Sequence, residues 1–107
     1  MTRIRFYGTP VDLLTMGETL ALAEDAMRER RRVRHTALNV AKLVKLEKDA
    51  ELAQDVRESN LVGIDGMGIV WALKLFGVRD AERVSGVDLM LMTMALCART
   101  GRKPYIL

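Results

Sequence analysis

The residues best suited to chemistry follow an apolar run near the middle of the chain. Leu61-Val62-Gly63-Ile64 is typical of a parallel strand covered on both faces, and Asp65-Gly66-Met67-Gly68 follows it directly. Ligands of α/β proteins bind beyond the carboxyl ends of strands, where Asp65 could act as a general base. Gly66 and Gly68 would let a substrate approach the backbone at the start of the next helix. Alternatively, Asp65 only caps that helix and Gly66 only supplies a tight turn.

A second polar position follows an earlier strand. His35-Thr36-Ala37-Leu38 predicts a short strand, and Asn39 stands where the next helix begins. Because Asn39 and Asp65 occupy the same strand-to-helix position, we expect both side chains to face one cleft at the carboxyl edge of a sheet. Asn39 could equally be only a helix cap. No acid or cysteine at ligand spacing accompanies His35, so we predict a packed or hydrogen-bonded histidine and no metal site.

A third candidate is Arg83, which precedes a helix marked by the capping-box spacing of Ser85 and Asp88. Its guanidinium could hold a diphosphate bidentately, while the amides at the helix start supply further donors. The alternative is an ion pair between Arg83 and a nearby carboxylate such as Asp80 or Glu82.

The elements that must position these residues alternate along the chain. Residues 3–7 alternate in polarity and predict a strand, which turns at Gly8-Thr9-Pro10 and returns over residues 11–14 as a hairpin partner. Thr15 and Glu18 have capping-box spacing and open a helix that ends in an arginine cluster. Strand and helix then alternate twice more. This order predicts the α/β class, as a Rossmann-like three-layer fragment with a mainly parallel sheet of three or four strands.

The remaining segments complete this prediction. Residues 40–55 predict one broken helix or two short ones, and residues 69–76 predict a helix that ends at Gly77 with Trp71 and Phe76 in the core. Residues 87–98 form a helix that is apolar nearly all round, so more than one side must be covered. Residues 103–107 begin a strand and stop. We therefore expect a single domain, residues 1–107, that is the N-terminal half of a larger protein.

Composition excludes several classes of protein. The 107 residues are half apolar with a net charge of only +3, which excludes intrinsic disorder, and a single cysteine, Cys97, excludes a disulfide framework. The N-terminus has no signal-peptide core, and the most apolar stretch is too short to span a bilayer, so we expect a cytosolic protein.

The positive charge is concentrated in one window. Residues 28–34 hold five arginines and one glutamate, a local charge of +4 that leaves −1 for the rest of the chain. A nucleic-acid binder would spread positive charge over a face and interleave aromatics, so we expect no nucleic-acid partner. The window is either a solvated helix end or a contact for the phosphates of a lipid surface or ligand.

Four segments in order carry a family resemblance over essentially the whole chain. They are Gly8-Thr9-Pro10-Val11-Asp12, Thr36-Ala37-Leu38-Asn39, the run from Ile64 to Ala72, and the run from Glu82 to Leu89. Together they resemble the WecB/TagA/CpsF family of bacterial glycosyltransferases. The resemblance covers only the N-terminal half of such enzymes.

The resemblance implies a specific activity. It implies inverting, metal-independent transfer of a hexose-type sugar, similar to N-acetylmannosamine, from a UDP donor to an undecaprenyl-diphosphate-linked acceptor. The products would be cell-wall polymers such as teichoic acid, or exopolysaccharides. No cofactor is implied. The enzyme would lie at the inner face of the cytoplasmic membrane, contacting it through the other half, and could form a homo-oligomer.

The resemblance also assigns residues. Asp65 matches the proposed catalytic base, Asn39 the Asn of a Thr-x-Asn signature, and Arg83 a Glu-Arg-Val-x-Gly signature. Thr36, Gly66 and Gly68 join Asn39 and Arg83 as expected substrate-binding residues. This sequence departs from the family at Ala37, where the signature Thr would stand, and Thr36, one residue earlier, would point to the other face of a strand.

Two expectations complete the functional picture. The groups that stabilise departing UDP must come partly from the other half, so we expect the 107-residue fragment alone to be inactive. The competing class is a noncatalytic α/β domain for anion binding or oligomerisation.

Overall fold

The computed structural model describes residues 2–105, and within them the chain forms two small sheets and five helices. The elements in chain order are β1 (Thr2–Phe6), β2 (Thr9–Leu13), α1 (Met16–Arg28), β3 (His35–Leu38), α2 (Val40–Leu46), α3 (Ala50–Glu58), β4 (Leu61–Ile64), α4 (Met67–Leu75) and α5 (Gly86–Thr100). The predicted α/β class is confirmed, although the sheets are small.

The first two strands form an antiparallel hairpin, as predicted. Phe6 pairs with Thr9, which leaves Tyr7 and Gly8 as a two-residue loop. Both loop residues have positive φ, 50° and 74°, the backbone geometry of a type I′ turn whose twist matches that of the flanking strands.

The second sheet pairs β3 with β4 in parallel, with Leu38 opposite Ile64, so both carboxyl ends reach the same edge. All four residues of β4 are buried, which confirms the predicted covered strand. The expected single sheet of three or four strands was wrong, because hairpin and parallel pair do not share a backbone ladder. Where such a ladder would run, the Asp12 carboxylate of β2 accepts a hydrogen bond from the Val62 N–H of β4 at 2.7 Å.

Asp12 joins the hairpin to the rest of the molecule. Its side chain is fully buried and binds the Arg3 guanidinium through two hydrogen bonds of 2.8 and 2.9 Å. Arg3 also donates to the carbonyls of Ser59 and Asn60 in the turn before β4. One buried carboxylate therefore fixes β1, β2 and β4 together.

Side-chain caps set the helix starts. The Thr15 hydroxyl and Glu18 carboxylate form the predicted reciprocal capping box of α1. Asn39 caps α2 and Asp49 caps α3, so of the two predicted alternatives the pair of short helices is confirmed. At α5 the Ser85 hydroxyl accepts from the Asp88 N–H at 3.4 Å.

The core lies around the strands and one side of α4. Its fully buried large side chains include Leu38, Ile64, Ile69 and Leu73. The placement of Trp71 and Phe76 in the core was wrong, since each is 67% exposed. The inward face of α4 is taken by Ile69, Val70 and Leu73.

The last helix is covered on one side only within residues 2–105. It buries Leu96 and Cys97, while five large apolar side chains remain exposed: Val87, Met90, Leu91, Met92 and Met94. Of the strand predicted over residues 103–107, residues 103–105 have no regular structure, and Ile106 and Leu107 lie outside the described residues.

Candidate functional site

The site is built where the two parallel strands end. The Asp65 N–H donates to the Leu38 carbonyl at 2.8 Å, so the strand pairing continues one step beyond β4. Asn39 follows Leu38 directly, and a Cβ on Gly66 would lie 3.8 Å from the Asn39 Cβ. Asp65 and Asn39 therefore share the carboxyl edge, as predicted, while a single cleft faced by both side chains stays a prediction.

The Asp65 carboxylate faces α5 rather than the helix that follows it. Its Oδ2 accepts from the Gly86 N–H at 3.4 Å, and its Oδ1 lies 3.7 Å from the Arg83 guanidinium. The N-cap of α4 is Gly66, with no side-chain hydrogen bond, so the helix-cap alternative for Asp65 was wrong. Both contacts are longer than those of a strong charge-assisted pair, and 28% of the side chain is exposed. The carboxylate is therefore only loosely held and remains accessible to a ligand.

Arg83 lies close to the Asp65 carboxylate. The alternative of an ion pair with a carboxylate is found, but the partner is Asp65 and not Asp80 or Glu82. The Val84 N–H donates to the Ile64 carbonyl at 2.7 Å, which holds the segment carrying Arg83 beside β4. Nearly half of the Arg83 side chain is exposed, so the guanidinium can also reach a ligand.

The N-terminus of α5 is closely packed against this edge. A Cβ on Gly86 would lie 3.4 Å from Asp65 Oδ2 and 3.7 Å from the Ala37 Cβ. Because Asp65 already accepts from the first amide of α5, a phosphate can use that amide only by displacing the carboxylate. The Arg83 guanidinium is more accessible than this amide.

Thr36 is not brought to the site. Its hydroxyl lies 2.6 Å from the Ser59 hydroxyl, which in turn donates to the Asp55 carbonyl. Side chains alternate along β3, so Thr36 faces Ser59 near α3 while Ala37 faces Gly86. The expectation that Thr36 points to the other face is confirmed.

Backbone conformation explains why residue 66 is a glycine, and close packing explains why residue 68 is one. Gly66 has φ +132°, a backbone region that other residues rarely adopt. A Cβ on Gly68 would lie 2.7 Å from Val40 Cγ2, so glycine allows α4 to approach α2 closely. Gly66 directly follows Asp65, whereas Gly68 lies against Val40 in the first turn of α4.

Asn39 caps α2 as predicted, since its Oδ1 accepts from the Lys42 N–H at 2.8 Å. Asn39 is exposed, and its NH₂ group has no hydrogen-bond partner among residues 2–105. Sequence reasoning missed Lys42, whose ammonium donates to the Ala37 carbonyl at 3.0 Å. A lysine in the first turn of a helix places its positive charge near the positive end of the helix dipole, which is unfavourable. This unfavourable position could have marked Lys42 in the sequence as a residue with a specific contact.

His35 is a packed histidine, as predicted. A Cβ on Gly63 would lie 2.7 Å from its Nε2, so the ring lies over the backbone of β4. This Nε2 atom is buried and has no hydrogen-bond partner within residues 2–105. Burial lowers the pKa of His35, although the negative charges of Asp12 and Asp65 act to raise it. The imidazole is therefore held neutral.

Residues 2–105 contain no group of three or more His, Cys, Asp or Glu side chains arranged to hold a metal ion. In the same range, none of the helices combines the length and the apolar character needed to cross a membrane.

The chain matches a known protein family. The profile described as "Glycosyl transferase WecG/TagA/CpsF family" matches residues 4–107, a range that includes Asn39, Asp65 and Arg83. No curated protein matches the chain significantly.

Proposed function

The chain belongs to the WecG/TagA/CpsF family of glycosyltransferases, and from this premise we propose that Asp65 is its general base. The family serves the synthesis of cell-wall polymers. We propose that the sugar is hexose-type and similar to N-acetylmannosamine, the donor a UDP-sugar, and the acceptor linked to undecaprenyl diphosphate. The observation that carries the proposal is a partly exposed carboxylate at the carboxyl end of β4, beside Asn39 and Arg83.

The proposed reaction is an inverting displacement. An acceptor hydroxyl oxygen attacks the anomeric carbon of the donor sugar, and Asp65 takes the hydroxyl proton as the new C–O bond forms. The bond between the anomeric carbon and the β-phosphate oxygen breaks, and its electron pair leaves with UDP. One carboxylate on the acceptor side is sufficient, because displacement from the opposite face inverts the anomeric centre.

Arg83 and Asn39 have different roles in this proposal. The long contact between Arg83 and Asp65 lets the guanidinium turn toward the donor diphosphate, where it offsets the negative charge that grows on departing UDP. Asn39 presents its amide NH₂ beside the base and is suited to orient a sugar hydroxyl. The Lys42 ammonium keeps its hydrogen bond to the Ala37 carbonyl.

An enzyme whose acceptor is linked to a lipid must bind that acceptor at a membrane surface. We propose that the enzyme is cytoplasmic and acts peripherally at the inner face of the cytoplasmic membrane. The arginine window of residues 28–34 offers exposed guanidinium groups to phosphates, although Arg28, Arg31 and Arg34 also pair with neighbouring acids.

The proposal is tested with the intact gene product. A panel of UDP-sugars is supplied with a lipid-diphosphate-linked N-acetylglucosamine acceptor, and UDP release and glycosylated product are measured with and without EDTA. We expect acceptor-dependent release of UDP, insensitivity to EDTA, and a product of inverted anomeric configuration by NMR. Absence of transfer from every donor contradicts the activity, while retention of configuration or loss in EDTA contradicts the mechanism.

The second candidate is a noncatalytic oligomerisation domain. The exposed apolar side chains of α5 favour it, because contiguous apolar surface commonly marks an interface. It predicts self-association without turnover of any UDP-sugar in the same assay.

A further inference from the structure

The segment that carries Arg83 is attached to a distant helix. Glu82 Oε2 accepts a hydrogen bond of 3.2 Å from the Met16 N–H, across 66 positions of sequence. Met16 is the first residue of α1, so its amide has no carbonyl partner within the helix. A carboxylate there both satisfies the amide and faces the positive end of the helix dipole.

Arg83 lies between this attachment and a second one. On its other side, the Val84 N–H donates to the Ile64 carbonyl at 2.7 Å, and the Val84 side chain is buried. Residues 81–85 form no helix or strand, so these flanking contacts fix their path. Glu82 thus restrains the backbone from which the Arg83 guanidinium reaches to within 3.7 Å of Asp65.

We propose that Glu82 is a positioning residue, which holds Arg83 against Asp65 by anchoring its segment to the N-terminus of α1. This inference rests on the proposed function of Asp65 and Arg83. Glu82 itself touches neither Asp65 nor a reacting atom. When the anchor is lost, the arginine samples more positions and spends less time beside the base and the donor diphosphate.

Three variants of the intact gene product test the role of Glu82 in turnover. We expect Glu82→Ala to lower kcat/KM about tenfold, because a substitution far from the reacting atoms still lowers the rate when it misplaces a group that acts on them. Glu82→Gln keeps an oxygen that accepts from the Met16 N–H, so it should stay close to wild type. Asp80→Ala is the matched control. Asp80 is an exposed carboxylate two residues away, with no hydrogen bond or ion pair to residues 2–105, and its loss should change little.

A double variant separates positioning from general stabilisation. If Glu82 acts through Arg83, then Glu82→Ala should cost nothing further in an Arg83→Ala background. A merely structural role would instead multiply the two losses. Equal fold-losses for Glu82→Ala in both backgrounds overturn the proposal.

Amide hydrogen exchange tests the anchor without any assay of activity. We expect the Met16 amide to lose protection in Glu82→Ala and to keep it in Glu82→Gln. Unchanged protection in Glu82→Ala overturns the anchor, and wild-type turnover in that variant overturns its positioning role. A wild-type protein without transferase activity overturns the proposed function and the positioning role with it, while the exchange result still decides the anchor.

Discussion

His35 and Asp65 lie on the same face of the β3–β4 pair, but their surroundings suit opposite roles. Asp65 is partly exposed, and its contacts with Gly86 and Arg83 are long, which suits the role of base proposed for it. The buried Nε2 of His35 lies over Gly63 with no described partner. His35, whose pKa is lowered by burial, is therefore the structural group of the two.

The lowered pKa of His35 predicts how stability depends on pH. The unfolded chain binds a proton near the usual value of 6.5 and the folded chain only at lower pH. The stability is therefore fully present above that value and is lost as pH falls from it toward the folded pKa. Each unit of lowering corresponds to about 1.4 kcal/mol.

Urea unfolding on both sides of the unfolded pKa of His35 measures this effect. We expect wild type to lose more unfolding free energy on acidification than His35→Gln, which cannot titrate. Glu18 and the other acids are present in both proteins, so their titration cancels in the comparison. An equal loss in both proteins contradicts the assignment.

At the scale of elements, the buried Asp12 carboxylate and its partly exposed partner Arg3 attach the hairpin to β4 and the turn before it. Asp12→Ala removes both bonds from Arg3 and leaves the Val62 N–H without its acceptor. We expect a loss of about 3 kcal/mol in urea unfolding, because a buried partner group is left unsatisfied. The matched control is Asp55→Ala, whose pair with Arg34 is exposed on both sides and should contribute below about 1 kcal/mol. A loss as small as the control's contradicts the role of Asp12.

Local signals explain which elements the sequence predicts well. Thr15, Asn39 and Ser85 each begin a helix where their spacing indicates, because a cap acts within one helical turn. The common edge of Asp65 and Asn39 was likewise predictable, since both directly follow parallel strands.

Contacts between distant residues explain the rest. In the sequence, Asp12 is an acidic residue in one predicted strand and Val62 an apolar residue in another. Nothing near either residue indicates that the Val62 N–H donates a hydrogen bond to the Asp12 carboxylate. Arg83 has acids next to it, yet it pairs with Asp65, while Glu82 reaches Met16. The face of α4 that is buried also depends on its neighbours, which is why Trp71 was misplaced.

For the whole molecule, the exposed face of α5 has the largest consequence. Val87 is 65% exposed and Leu91 56% exposed, and Met90 and Met94 lie on the same side of the helix at spacings of three and four residues. Burial of such a stripe against another surface is favourable at roughly 25 cal/mol per Å² of apolar area.

We therefore predict that this chain self-associates through α5. Sedimentation velocity over a range of concentrations should show reversible oligomers, and Leu91→Lys should shift them to monomer. Gln54→Lys introduces the same charge at an exposed position of α3 and should leave association unchanged. A wild-type chain that stays monomeric throughout contradicts the prediction.

The central claim is that Asp65 removes the acceptor proton, and one substitution tests it most directly. Asp65→Asn keeps the size of the side chain and an oxygen that can accept from the Gly86 N–H, but it removes basicity. Asp88→Asn makes the same chemical change at an exposed carboxylate in the first turn of α5 and serves as the control.

The measurement is kcat for sugar transfer by the intact gene product, with thermal unfolding recorded for the same samples. We predict that Asp65→Asn lowers kcat by roughly two to four orders of magnitude, while its unfolding temperature and the activity of Asp88→Asn stay near wild type. Wild-type turnover in a folded Asp65→Asn protein would contradict the assignment of Asp65 as the base.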